Sequence, residues 1–148
     1  MAQPQPYYAI EGNDNGLSVV FVHGMGVDHR SLMMLDKAFD GNDSIRRIYL
    51  DLPGFGRTPA LPEHACGLPE MADWLQTAID GLVGKAAPFA MVGNSMGGAL
   101  VREVLAREPR RVAGMALIAP VVDPQHAGRH VAEHVVAQPN PKLTHSLP

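Results

Sequence analysis

Apolar runs alternate with stretches of helical periodicity along most of the chain, and that alternation predicts an α/β protein with a parallel sheet covered by helices on both faces. The run LSVVFV, residues 17–22, is β-branched and aromatic almost throughout, as a strand buried on both sides would be. It should be central. Residues 45–50, 88–92 and 112–119 read as three further strands, residues 7–11 as a short leading one, and GNDNG at 12–16 as the turn after it. Between them, residues 30–39 place Leu32, Leu35 and Phe39 at helical spacing, with Asp28 as cap and Gly41 as stop. A stronger helix opens at Pro69 and carries Met71, Trp74, Leu75, Ala78, Ile79 and Leu82 on one stripe, with Trp74 in the core. A third presents Leu100, Val101, Val104 and Leu105 inward and ends at Glu108-Pro109, because proline disfavours helical geometry in the residue before it.

Composition narrows the classes of partner. At 148 residues, with 46 % apolar and 18 % charged, the chain suits one domain with a buried core. A net charge of −3 and scattered basic residues give no footprint for nucleic acid. The two basic pairs, Arg46-Arg47 and Arg110-Arg111, read as strand flanks. The amino terminus has neither a basic start nor an apolar stretch of secretory length, and the longest nearly apolar run, residues 112–122, is too short to span a bilayer. No membrane contact and a cytoplasmic location are therefore expected. The single cysteine, Cys66, cannot form an internal disulfide and lies in a loop without an activating partner.

The chemistry concentrates in two glycine stretches. In GNSMGG, residues 93–98, an apolar run is followed at once by a helical one, so Ser95 sits where a strand turns into a helix. So tight a turn closes only if the residues two before and two after are small, and these are Gly93 and Gly97. The turn aims the Met96 N–H and the positive end of the helix at the place where a carbonyl oxygen would become negative. The second stretch, HGMG at residues 23–26, lies directly behind the strand at 17–22, where the Met25 N–H can supply a second oxyanion donor. His23 reads as a structural hydrogen-bonding residue, while His29 and His64 have no supporting context.

At these residues the chain resembles the amino-terminal half of an α/β-hydrolase. The third element of the resemblance is DLPGFGRT, residues 51–58, and the match in order and spacing runs over roughly residues 17–120. GNSMGG and APVVD are most similar to the serine esterases and carbon–carbon bond hydrolases of that family. The resemblance implies that the four main strands are the third to sixth of the fold, in the order four, three, five, six. It also implies that residues 1–123 belong to the core domain and that 124–148 begin a cap or connecting region, with one helix at 125–136. By the same resemblance Ser95 attacks the carbonyl of a small-molecule substrate, with the oxyanion held by Met25 and Met96 and no organic cofactor. The family takes its histidine from after an eighth strand, and no histidine here matches that position.

Asp123 directly follows the sixth strand, where some branches of the family place the acid; in VVDPQHA it also reads as a helix cap. His126, His130, His134 and His145 lie downstream and keep the order serine, acid, base. The first three recur every four residues and share a helical face, which fits a zinc or nickel site or, preferred here, a solvated polar face; no metal is assigned. Without a neighbour, the strand at 112–119 would be an exposed apolar edge, covered by a second copy of the chain or by the remaining half of the fold. The non-enzyme alternative is a catalytically silent binding module that keeps the floor of the pocket.

Overall fold

The computed structural model describes residues 3–123. Five strands form one sheet in the order β1-β3-β2-β4-β5, where β1 is Tyr8–Gly12, β2 Leu17–Val22, β3 Ile45–Leu50, β4 Phe89–Asn94 and β5 Val112–Ile118. Only β1 is antiparallel to its neighbour. The four parallel strands thus stand in the expected order, with β2 in the middle and its last five residues buried. The helix at 125–136 and the histidines at 126, 130, 134 and 145 lie outside the described residues.

Alternation along β2 splits the interior into two layers. Val20 and Val22 face α2, Leu68–Val83, and α3, Met96–Arg107, in the larger core with Trp74, Leu75, Ile79, Phe89 and Leu100. Val19 and Phe21 face the other way, against Tyr49 and Leu32. Burying an aliphatic or Phe side chain of this kind stabilises the fold by roughly 1.5–3 kcal/mol. Trp74 is buried as its stripe requires, and its indole N–H donates to the Pro4 carbonyl at 2.8 Å, which fastens the amino-terminal segment to α2.

Two expectations change. The helix at 30–39 breaks after one turn: α1 is Arg30–Met33, and Asp36–Phe39 forms a separate 3-10 turn. That break sets Asp36 against β3, where it accepts hydrogen bonds from Arg47 Nε at 2.6 Å and from the Tyr49 hydroxyl at 2.7 Å. Arg46 and Arg47 lie within β3, where the strand read at 45–50 already put them, so the reading of this pair as strand flanks falls, while Arg110 and Arg111 do precede β5. Arg47 is buried because Asp36 balances its charge and the Phe39 ring lies 5.5 Å from its guanidinium carbon.

Among the described residues β5 is one edge of the sheet, opposite β1, with Leu117 and Ile118 exposed. No helix in residues 3–123 is long and apolar enough to cross a membrane.

Candidate active site

Ser95 occupies the turn between β4 and α3 with φ 51° and ψ −115°. For a residue with a side chain this is a costly conformation, on the order of 1–3 kcal/mol, and the surroundings have to hold it. They do so from both sides. The Ser95 N–H donates to the Ile118 carbonyl at 3.0 Å, and its own carbonyl accepts from the N–H groups of Gly98, Ala99 and Val121. The Asn94 side-chain amide adds a bond of 3.0 Å to the same Ile118 carbonyl. The end of β5 and the first turn of α3 thereby clamp the serine backbone, while within the described residues no hydrogen bond occupies its hydroxyl.

The small residues stand where the turn needs them. A Cβ at Gly93 would lie 2.6 Å from Val101 Cγ2 and 2.7 Å from the Gly97 carbonyl oxygen, and one at Gly97 would run into the Val22 and His23 carbonyls. α3 can approach β2 only because Gly97 is bare. The two glycine stretches also meet: a Cβ at Gly24 would lie 2.9 Å from Asn94 Oδ1 and 3.1 Å from Ser95 Cβ. Neither the Met25 nor the Met96 N–H is bonded to another described residue. Their side chains differ, with Met25 exposed and Met96 packed into the larger core.

His23 is fully buried and uses both ring nitrogens. Nε2 accepts from the Leu52 N–H at 2.9 Å, so the ring proton sits on Nδ1 and is donated to the Gly24 carbonyl at 2.7 Å. Burial pushes its pKa below 6.5 and keeps the ring neutral. The imidazole thus ties the loop beside Ser95 to the loop after β3.

A further cluster lacks a sequence-level counterpart. Asp51, fully buried one residue past β3, accepts from the His29 N–H and from His29 Nδ1, both at 2.8 Å, and from the Arg57 N–H at 2.9 Å. Gly56, at φ +55°, lets the DLPGFGRT loop fold back, because a Cβ there would collide with the Asp51 carboxylate. Asp28, His29 and Asp51 bring ligand-type atoms within 4.8 Å of one another. These atoms are engaged within the protein: Asp51 accepts from His29 and Arg57, and Asp28 is held by Arg30, whose guanidinium bonds at 2.6 Å and 3.0 Å push the carboxyl pKa down to about 2. The sequence signal was the aspartate that opens DLPGFGRT, a charged residue directly after a buried strand.

The sheet register sets these groups in relation to Ser95. Val22 pairs with Leu50 on one side and Gly93 on the other, so Asp51 and Ser95 emerge at the same end of the sheet from strands flanking β2. Asp123, the sequence-level acid, is exposed and lies two residues beyond Val121, whose N–H donates to the Ser95 carbonyl.

A mostly parallel sheet with helices on both faces defines an α/β protein, and in it a strained serine stands at a strand-to-helix turn beside a glycine loop. The family profile of the alpha/beta hydrolase fold matches residues 18–140, and the chain belongs to that family. It is 33 % identical over 108 residues to the dihydrolipoyllysine-residue acetyltransferase component of acetoin cleaving system from Pseudomonas putida, a stretch that is 73 % of this chain and 28 % of that protein. An alpha/beta superfamily hydrolase from Oenococcus oeni PSU-1 shares the fold at a TM-score of 0.76 and 24 % identity, covering 95 % of this chain and 53 % of that one. A thermophilic esterase from Thermogutta terrifontis matches at 0.67 and 26 % identity, over 82 % and 43 % of the two chains. Haloalkane dehalogenases share the fold as well. The chain spans about half the length of the solved hydrolase and about a quarter of the Pseudomonas relative.

Proposed function

We propose that Ser95 is the nucleophile of a hydrolase that acts on a carbonyl substrate, an ester or an activated carbon–carbon bond. The observation that carries this reading is the clamped, positive-φ backbone of Ser95, with its hydroxyl unengaged among the described residues and the Gly24 loop against it.

In this mechanism Ser95 Oγ adds to the carbonyl carbon, and the carbonyl electron pair moves onto the oxygen. The Met25 and Met96 N–H groups receive that oxyanion, each worth on the order of 3 kcal/mol of transition-state stabilisation. Collapse expels the leaving group with a proton, and water then releases the acyl group from Ser95. A serine supports this addition–elimination route through its own oxygen, which favours carbonyl substrates over the alkyl halides of the dehalogenases.

The general base comes from outside residues 3–123. Both His23 nitrogens are bonded, His29 is tied to Asp51 on the far side of β2, and His64 lies in the exposed turn Glu63–Ala65. Asp123 takes the acid role in this reading, orienting the histidine that takes the Ser95 proton. The non-catalytic reading draws on the same fact, since without a base the elbow is only the floor of a binding pocket. Labelling by a fluorophosphonate probe separates the two. Hydrolase chemistry requires labelling that disappears in Ser95→Ala; a signal that persists in the variant, or is absent from the parent chain at every pH, rejects it.

A further inference from the structure

A second polar site lies at the same end of the sheet as Ser95 but across β2 from it. Tyr7, Asp28, His29, Arg30, Asp51 and Arg57 line a cleft of about 220 Å³. Two carboxylates and two guanidiniums line it, and they are engaged differently. Asp51 is compensated by three N–H donors, and Asp28 is chelated by Arg30. Arg57 is different. Its guanidinium carbon lies 4.7 Å from the centre of the Tyr7 ring and its Nη1 donates to the Tyr7 hydroxyl at 3.2 Å, and no carboxylate among the described residues pairs with it.

The donors are also fixed in advance. Bonding of the Arg57 N–H to Asp51, together with the left-handed turn at Gly56, sets where the Arg57 side chain starts. The His29 ring is held at Nδ1 by Asp51 and rests against Tyr7, with ring centres 5.2 Å apart, which leaves Nε2 as its free polar atom. Tyr7 is anchored in turn, because its N–H donates to Thr58 Oγ1 and its carbonyl accepts from the Asp51 N–H. A guanidinium and a phenol hydroxyl thus share one small cleft, with the His29 ring packed beside them. A guanidinium fork held open in this way matches the paired oxygens of a carboxylate or phosphate.

We propose that this cleft binds a small oxyanion, a carboxylate or a phosphate, through Arg57 and the Tyr7 hydroxyl, with the His29 ring beside them. A divalent cation is disfavoured there, because every carboxylate oxygen it would use already accepts a hydrogen bond. The site is separate from the proposed chemistry at Ser95 and stands whether or not Ser95 is reactive.

Titration of the folded chain with inorganic phosphate and with acetate, followed by NMR of the Arg57 Nε–H and the His29 ring, tests the proposal. Saturable shifts at both residues are expected, and the tighter of the two anions identifies the ligand as phosphate-like or carboxylate-like. Arg57→Gln should weaken binding by about tenfold or more. Tyr7→Phe keeps the ring and its backbone bonds, and should weaken binding by a smaller factor; it carries the test should Arg57→Gln disturb the loop. Lys85→Gln, in the exposed loop before β4, should leave the affinity unchanged. Absence of saturable shifts with either anion overturns the proposal, as would equal losses in Arg57→Gln and Lys85→Gln, or shifts produced by magnesium or zinc but not by the anions.

Discussion

Gly24 lies against Ser95 so closely that a methyl group on it would stand 3.1 Å from Ser95 Cβ. The residues are 71 positions apart in sequence, yet no side chain can come between them. Parallel pairing of β2 with β4 brings their ends level, His23 holds the Gly24 carbonyl, and Gly97 lets α3 come down onto the Val22 and His23 carbonyls. The site is therefore a property of two adjacent strand ends, and it should respond to changes in backbone clearance before any change in chemistry.

Gly24→Ala tests that relationship. The added carbon would be 2.9 Å from Asn94 Oδ1, so either the Asn94 amide or the loop must shift. Overpacking of this kind costs about 1–3 kcal/mol. The fluorophosphonate labelling rate should fall more steeply than the loss of stability explains, because the displaced atoms are those next to Ser95. A variant that loses stability but labels at the parent rate would show that Gly24 serves packing alone.

Gly97 and Gly81 are both helical glycines, and they should respond in opposite directions. A Cβ at Gly97 meets the backbone carbonyl of Val22, which cannot rotate away, so Gly97→Ala should destabilise by about 3 kcal/mol or prevent folding. Gly81 in α2 is exposed and has open space where a Cβ would go. Gly81→Ala should therefore stabilise the chain by roughly 0.5–1 kcal/mol, the helix-propensity difference. Urea unfolding of the two variants beside the parent measures both, and a destabilising Gly81→Ala would contradict the helix packing described here.

What could be read from sequence was what depends on short-range pattern. LSVVFV is apolar on both faces and sits mid-sheet, and the spacing of Gly93, Ser95 and Gly97 announces a tight turn because steric limits act within a few residues. Features that depend on a distant partner stayed hidden. The run at 45–50 puts Arg47 inside a strand, but what balances its charge there is hidden until Asp36 is known to turn onto it, and that turn depends on α1 ending at Met33. His29 looked idle because its partner Asp51 is 22 residues on, aimed by a fold-back at Gly56 that composition alone does not specify. Neither pairing leaves a periodic trace, so hydropathy had nothing to report.

The state of His23 gives a pH dependence with a definite sign. Burial holds its folded pKa below 6.5, so between that lowered value and 6.5 the unfolded chain binds more protons than the folded one. Stability should be fully present above about pH 6.5 and decline as pH falls from there toward the lowered value. Urea midpoints at about pH 7.5 and about pH 5.5 would show the drop. In His23→Gln the overall stability should be lower but the drop smaller. An equal drop in parent and variant would assign the effect to another histidine.

The Asp36–Arg47 pair should behave as a buried charge does when its partner is removed. Arg47 is almost fully enclosed within β3, and Asp36, more open, supplies its counter-charge and accepts the Tyr49 hydroxyl. Asp36→Ala strands the guanidinium without a partner and should cost about 3 kcal/mol. The double variant Asp36→Ala with Arg47→Met removes both charges and keeps most of the buried volume, so it should recover a large part of that loss. The Arg47 hydrogen bond also lowers the Asp36 pKa from 3.8. Its contribution is therefore present above about pH 3.8 and is lost as pH falls toward the lowered value. Were the single and double variants equally unstable in urea, the cost would lie in packing around Phe39 and not in an uncompensated charge.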